Sequence, residues 1–225
     1  MADLIVSPFL GVQSIGWMLR NASRSGGVGL TGQEQVIVSP TGRWTATAVF
    51  NVFSGLEDPA ALAYRSLIRR GRGAIVIVPE TDTRGPLQWA GIKIPRRGVR
   101  HSDGATFSDG SGYGQDYTGA TLAAAATMNA TQIQIRLGGG LILIPGMRFS
   151  TPDDRLHEID EVVAQDGEIW TVRILPWLRA DYAAGTVLNF DAPRCRMRLA
   201  SDDTGGISIS QRSLSTPTIE FVEAL

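Results

Sequence analysis

The chain has 225 residues, of which 43% are hydrophobic and 19% charged, a composition that excludes an intrinsically disordered protein. Its 21 basic and 22 acidic residues give a net charge of -1, which excludes a protein that recruits nucleic acid through a global basic field. No apolar stretch approaches the roughly 18 residues that a membrane-spanning helix needs, so we expect no membrane span. Cys195 is the only cysteine, which excludes an intrachain disulfide.

Short apolar segments separated by glycine and proline predict strands and turns at the start of the chain. The 26 glycines and 11 prolines punctuate the whole sequence in this way. Segments 35–38 and 43–53 predict the two strands of a hairpin, joined by a turn over 39–42. In the second of these strands, four alternating residues predict one shared face: Trp44, Ala46, Ala48 and Phe50.

One helix is predicted over 59–70. Asp58 can cap its N-terminus, Pro59 suits the first helical position, and Gly71 can adopt the left-handed conformation that often follows a last turn. Apolar residues at three- and four-residue spacings predict a buried stripe, formed by Ala60, Ala63, Tyr64, Leu67 and Ile68. The apolar run 74–78 follows and predicts a strand that is buried on both faces.

A glycine-rich segment from 101 to 119 interrupts the strand pattern. Aromatic and acidic side chains within it predict a loop that contacts a partner, and the candidate contact residues are Asp109, Tyr113 and Tyr117. The alternative is a loop that packs on its own domain. We expect a domain boundary beside this loop, because the composition changes there.

Short strands return after residue 120. The segments predicted as strands are 131–137, 141–144, 155–163, 168–175 and 186–190, with a hairpin turn over 165–167. The C-terminal segment is expected to return to the edge of the first sheet, because a single terminal strand is marginal alone. We therefore predict a mainly β (α+β) fold. A small β-barrel or sandwich domain with one helix is formed by 1–95 together with 200–225, and an all-β domain over 96–199 is inserted into it.

Residues of the types that catalyse reactions or bind metals do not form a recognisable site. A cysteine nucleophile needs a histidine within reach, and the chain offers Cys195 with His101 or His157. The alternation from Arg194 to Arg198 instead predicts a buried Cys195 between outward arginines. Around His157, the acidic residues lack the spacing of a zinc site or an EF-hand. We expect no enzyme activity, no metal and no cofactor.

Short motifs along most of the chain are similar to those of one protein family. In the first half they are Thr31-Gly32, the segment from Gly42 to Ala46, and the segment from Arg70 to Gly73. The second half contributes Gly146 to Phe149, Leu156 to Ile159, Ile174 to Arg179 and Met197 to Leu199. Together these motifs resemble the distal tail proteins of long-tailed bacteriophages (siphophages) and of gene transfer agents, which form a ring at the tail tip or baseplate.

The resemblance implies a structural protein of the virion tail, made in the host cytoplasm. It implies a homo-oligomer, usually a hexameric ring, that joins the tail tube protein above to the hub or baseplate protein below, with DNA only as cargo passing through the lumen. Two alternatives remain open: a trimeric tail hub protein, and a carbohydrate-binding adsorption module that uses the loop with Tyr113 and Tyr117. A cysteine hydrolase built around Cys195 is a further alternative, from a different class.

Overall fold

The structure is a computed structural model that describes residues 4–5, 12–28, 32–51, 53–54, 59–82, 84–92, 105, 118–203, 205, 214–215 and 217–225. Strands account for 48% of it and helices for 10%, so the predicted mainly β fold is confirmed. Its sheets curl into half-barrels. Contacts divide the chain into a first unit, Met1–Thr81 with Arg194–Leu225, and a second unit, Asp82–Pro193.

In chain order, the described elements are β1 (Leu4–Ile5), β2 (Val12–Val28), β3 (Glu34–Phe50), β4 (Phe53–Ser54), α1 (Pro59–Ile68), β5 (Val76–Pro79), α2 (Pro86–Trp89), β6 (Thr121–Leu122), β7 (Gln132–Arg136), β8 (Arg148–Ser150), β9 (Leu156–Asp166), β10 (Ile169–Leu175), β11 (Arg194–Leu199), β12 (Leu214–Ser215) and β13 (Thr218–Glu223). A short 3-10 turn over Gly71–Gly73 follows α1. The second unit holds α2 and the strands from β6 to β10.

Six strands of the first unit form one sheet, in the order β1-β5-β11-β13-β3-β2. All neighbours are antiparallel except β1 and β5, which are parallel. The C-terminal strand β13 pairs with β3 on one side and β11 on the other, so it lies inside the sheet and not at its edge. Because β11 pairs with β5 and β13, residues 194–199 belong to the first unit, and the units divide near 82 and 193 instead of the predicted 96 and 199.

The predicted hairpin with a turn over 39–42 is wrong. Residues 34–50 form the single strand β3, whose partner is β2. The register passes from Arg20 opposite Arg43 to Ala22 opposite Ser39, so one residue of β2 faces three residues of β3 and the ladder bulges there. A bulge accommodates proline and glycine as readily as a turn does, because it leaves ladder hydrogen bonds unmade.

The predicted helix is confirmed and lies against the buried face of the sheet. It begins at Pro59 and ends at Ile68, with Tyr64 and Leu67 buried. The Tyr64 ring meets the ring of Phe50 edge to face, with 5.2 Å between the centroids. The predicted face of β3 is also confirmed, since its four residues are almost fully buried: Trp44, Ala46, Ala48 and Phe50. Strand β5 is buried along most of its length, as the apolar run 74–78 predicts.

The second unit is built on a five-stranded sheet in the order β6-β7-β10-β9-β8. Strand β7 alternates exposed and buried residues as predicted, and β9 and β10 form the predicted hairpin around Gly167, which has a φ of 57°. Two predicted strands are wrong: 141–144 has no regular structure, and 186–190 makes only isolated bridges. Leu143 and Leu188 are buried in the core, and burial gives an irregular segment the same apolar pattern as a strand.

Candidate assembly surface

The predicted contact residues Asp109, Tyr113 and Tyr117 lie outside the described residues. The described chain resumes at Thr118, which is 5% exposed. Its backbone N–H donates to Asp191 Oδ2 at 3.1 Å, and its hydroxyl also hydrogen-bonds the Asp191 carboxylate. The chain is therefore fixed to the second unit at Thr118, near the end of the predicted loop.

The candidate catalytic residues of the described chain are core residues. Cys195 and Met197 are fully buried and point inward from β11, as the alternation with arginine predicts. His157 is fully buried as well, and its Nδ1 lies 2.9 Å from the carbonyl oxygen of Pro176. Its ring stacks on Phe149 with 5.5 Å between the centroids. Within the described ranges, no group of three or more His, Cys, Asp or Glu residues is arranged to hold a metal ion.

The outer end of the β2–β3 pair is a highly exposed part of the first unit. The last pair between β3 and β13 is Thr45 with Val222, so among the described strands only β2 and β3 continue past this point, over residues 20–28 and 34–43. We call this segment the ribbon. Side chains at 20–21, 23–28 and 34–37 are all exposed, so both faces of the ribbon are open at these positions. Val28, Val36 and Ile37 are 70%, 51% and 62% exposed.

The tip of the ribbon is held by polar contacts. The Ser25 hydroxyl donates to Glu34 Oε1 across the strands at 2.6 Å, and the Gly27 N–H donates to the Ser25 hydroxyl oxygen at 3.2 Å. Gly27 has a φ of 88°, a conformation that glycine adopts without strain. These contacts keep the two strands together near the point where the chain reverses.

A two-stranded ribbon is marginally stable by itself in water, because it lacks a hydrophobic face that is covered. Its outer edges also present backbone N–H and C=O groups that can pair with another chain. The exposed apolar side chains Val28, Val36 and Ile37 add surface that favours burial. The ribbon is therefore suited to contact with a neighbouring molecule, and it is the candidate assembly surface of this protein.

Two arginines face each other at the base of the ribbon. Arg20 of β2 lies directly opposite Arg43 of β3, and both side chains are exposed. Like charges in directly opposed positions of an antiparallel pair destabilise it. In the part of the chain that the structure describes, neither arginine forms an ion pair with a carboxylate. An acidic surface on a neighbour would relieve this repulsion.

No protein-family model matches the chain, and no curated protein matches it. Among the helices of the described residues, none is long and apolar enough to cross a membrane. The functional assignment therefore depends on the geometry of the surfaces and on the resemblance of the sequence motifs.

Proposed function

We propose that this chain is a structural subunit of a phage-type tail tip, a distal tail protein of the virion that is made in the host cytoplasm. Copies of it assemble into a closed homohexameric ring that joins the tail tube protein to the hub or baseplate protein. DNA passes through the lumen of this ring only as cargo. The motifs around Trp44 and those of the second half support the choice of a tail protein over other assemblies.

The ribbon is the observation that carries the proposal. It extends past the sheet, is open on both faces and exposes Val28, Val36 and Ile37. Such a segment gains a covered face when it packs on another copy, and one heterologous contact repeated around an axis closes into a ring. The ring converts edge strands from sites of uncontrolled aggregation into defined subunit contacts.

The proposal requires no catalytic step. Cys195, the only cysteine of the chain, is fully buried in β11 and is therefore placed as a core residue. His157 is equally buried and bonds a backbone carbonyl. Both side chains serve packing in this assignment.

Shortening the ribbon tests the proposal. Residues 21–42 are replaced by Asn-Gly, which can close a two-residue turn between the opposed Arg20 and Arg43 without disturbing the pairs nearer the sheet. We expect the shortened chain to unfold cooperatively but to remain a monomer that does not bind tail tube protein from the same genome. A shortened chain that assembles and binds the tube like the wild type contradicts the proposal.

Copy number separates the ring from its nearest alternatives. A tail hub protein predicts three copies in the assembly, and a carbohydrate-binding adsorption module predicts binding on a glycan array through the loop of Tyr113 and Tyr117. Six copies together with no glycan binding support the distal tail assignment. Three copies support the hub.

A further inference from the structure

We infer that neighbouring copies also meet through an electrostatic contact at the base of the ribbon, beside the apolar packing of its outer end: the acidic end of the β9–β10 hairpin of one copy docks on the arginine-bearing face of the next copy. This inference rests on the proposed ring. A ring by itself specifies neither which two surfaces meet nor which kind of interaction holds them together.

The first surface is the outer face of the six-stranded sheet. In β11, Arg194, Arg196 and Arg198 alternate with the buried residues Cys195, Met197 and Leu199, so the arginines point away from the core. Strand pairing connects β11 to the base of the ribbon through a row of directly opposed residues: Arg198, Val222, Thr45 and Met18.

Directly opposed residues of a sheet point to the same face, and so do residues two positions apart in one strand. Arg43 is two positions from Thr45, and Arg20 is two positions from Met18. Both therefore share a face with Arg198. Glu220, two positions from Val222, lies on this face as well and offsets one charge. We call this surface the arginine face, and its balance is positive.

The second surface is the end of the β9–β10 hairpin, residues 160–168. Every side chain in it is exposed except that of Val162, which is half-buried. Four of its residues are acidic: Asp160, Glu161, Asp166 and Glu168. One of these is partly neutralised, since Arg173 Nη1 lies 2.6 Å from Glu161 Oε2. The hairpin end thus presents a negative surface.

The two surfaces lie on units of opposite net charge, and their strands are similar in length. The first unit has 11 basic and nine acidic residues, and the second unit has 10 basic and 13 acidic residues, so the units have opposite net charges of +2 and -3. At about 3.3 Å per residue, the acidic strand 160–166 spans about 20 Å and the ribbon strand 20–28 about 26 Å. The hairpin end can therefore lie along the base of the ribbon.

A contact between two different surfaces that each copy makes once with each neighbour is heterologous, which is the kind that can close into a ring. A contact in which the arginine face of one copy met the same face of the other would bring like charges together and add to the repulsion between Arg20 and Arg43. Charge complementarity also fixes the register of docking and accelerates association. The occupant to which we assign the arginine face is accordingly a second copy of this chain.

A charge-swap experiment tests this assignment by sedimentation velocity at low and high salt. R20E/R43E reverses the arginine face, and D166R/E168R reverses the hairpin end. We expect each double variant alone to weaken self-association by at least about tenfold, because attraction becomes repulsion. The chain that carries all four changes, and an equimolar mixture of the two double variants, should recover association. Wild-type association should weaken as salt rises, because exposed charges are screened.

The controls separate this inference from the proposed ring. R69E/R70E reverses two exposed arginines at the end of α1 and should leave association unchanged. R20Q/R43Q removes the charges with a smaller perturbation and should give an intermediate loss if the fold is kept, as checked by circular dichroism. Wild-type assembly together with an R20E/R43E variant that associates normally overturns the electrostatic contact and leaves the ring standing.

Two further outcomes test the assignment of the arginine face to a second copy and the ring on which it rests. If each double variant loses association and the four-change chain does not recover it, the arginine face meets another partner, and the assignment to a second copy is overturned. If wild-type protein stays monomeric at every concentration, the proposed ring itself fails, and the inference fails with it.

Discussion

The Tyr64 hydroxyl donates a hydrogen bond of 2.9 Å to the carbonyl oxygen of Gly205, which lies 141 positions later in the chain. Gly205 has a φ of 83°, and a Cβ added to it would lie 2.8 Å from the Tyr64 hydroxyl oxygen. The same tyrosine ring packs against Phe50 of β3. One side chain thus ties helix α1 both to the sheet and to the segment that follows β11, which joins the two separate stretches of chain that form the first unit.

Tyr64→Phe should destabilise the first unit and change its response to alkali. At neutral pH we expect a loss of about 1 kcal/mol, the usual contribution of one hydrogen bond. Burial raises the pKa of Tyr64 from its ordinary value of 10.0 to about 12. The stability that this shift contributes is fully present below pH 10 and is lost as the pH rises through about 12. The free energy of unfolding should therefore fall more steeply over this interval in the wild type than in Y64F, as measured by urea titration.

Gly71→Ala should destabilise the chain far more than Gly73→Ala, although both residues belong to the same 3-10 turn. Gly71 has a φ of 57°, and a Cβ there would lie 2.6 Å from Asp202 Oδ1, whose oxygen accepts the Arg72 N–H at 2.8 Å. Gly73 has open space around the same position. The left-handed conformation alone costs an alanine about 1–2 kcal/mol. Equal losses for the two variants in thermal unfolding would show that this explanation is wrong.

Tyr182→Phe should reduce the sensitivity of the second unit to acid. Partial burial acts to raise the pKa of Asp153, but hydrogen bonds from Thr151 and Tyr182, a backbone hydrogen bond and the charge of Arg155 together outweigh it and hold that pKa below its ordinary 3.8. The Tyr182 bond is 2.7 Å long. A lowered pKa contributes stability that is present above pH 3.8 and is lost as the pH falls through the folded value. Y182F should be less stable at neutral pH and should lose less on acidification, a difference that unfolding at pH 7 and pH 3 can measure.

Helix α1 of the first unit and the hairpin turn of the second unit could be predicted, because the residues that mark each of them lie close together in the sequence. Pro59 and Gly71 mark the two ends of α1, and Gly167 marks the turn between β9 and β10. Sheet membership could not be predicted, because it depends on pairs between distant residues. Nothing near Ser39 distinguishes a bulge in one long strand from a turn between two short ones, since the partner strand β2 lies earlier in the chain.

The candidate assembly surface could not be predicted from the sequence, for a related reason. Val36 and Ile37 have the apolar sequence of an interior strand, but they lie beyond Thr45, where the pairing of β3 with β13 ends, and both are exposed. Arg20 and Arg43 become neighbours only through the register of β2 on β3. A useful signal was nonetheless present, since the partner strand opposite Val36 and Ile37 carries arginine, serine and glycine where a buried strand would carry apolar residues.

Val36→Thr with Ile37→Thr should weaken self-association without unfolding the chain. Threonine keeps the β-branched shape that strands favour and adds a polar group, so the exposed ribbon loses apolar area but not its preference for extended structure. Val187→Thr is the matched control, because Val187 is similarly exposed, at 49%, in the second unit. We expect V36T/I37T to raise the dissociation constant by at least about tenfold, or about 1.4 kcal/mol, and V187T to leave it unchanged. Similar effects of both would indicate that the ribbon has no special role.

The mass of the purified assembly by native mass spectrometry tests the ring most directly. One chain has a mass of 24.1 kDa, and the account predicts a particle of six chains that reverts to one chain when residues 21–42 are replaced by the Asn-Gly turn. A wild-type chain that remains a monomer at concentrations where tail proteins assemble would contradict the account.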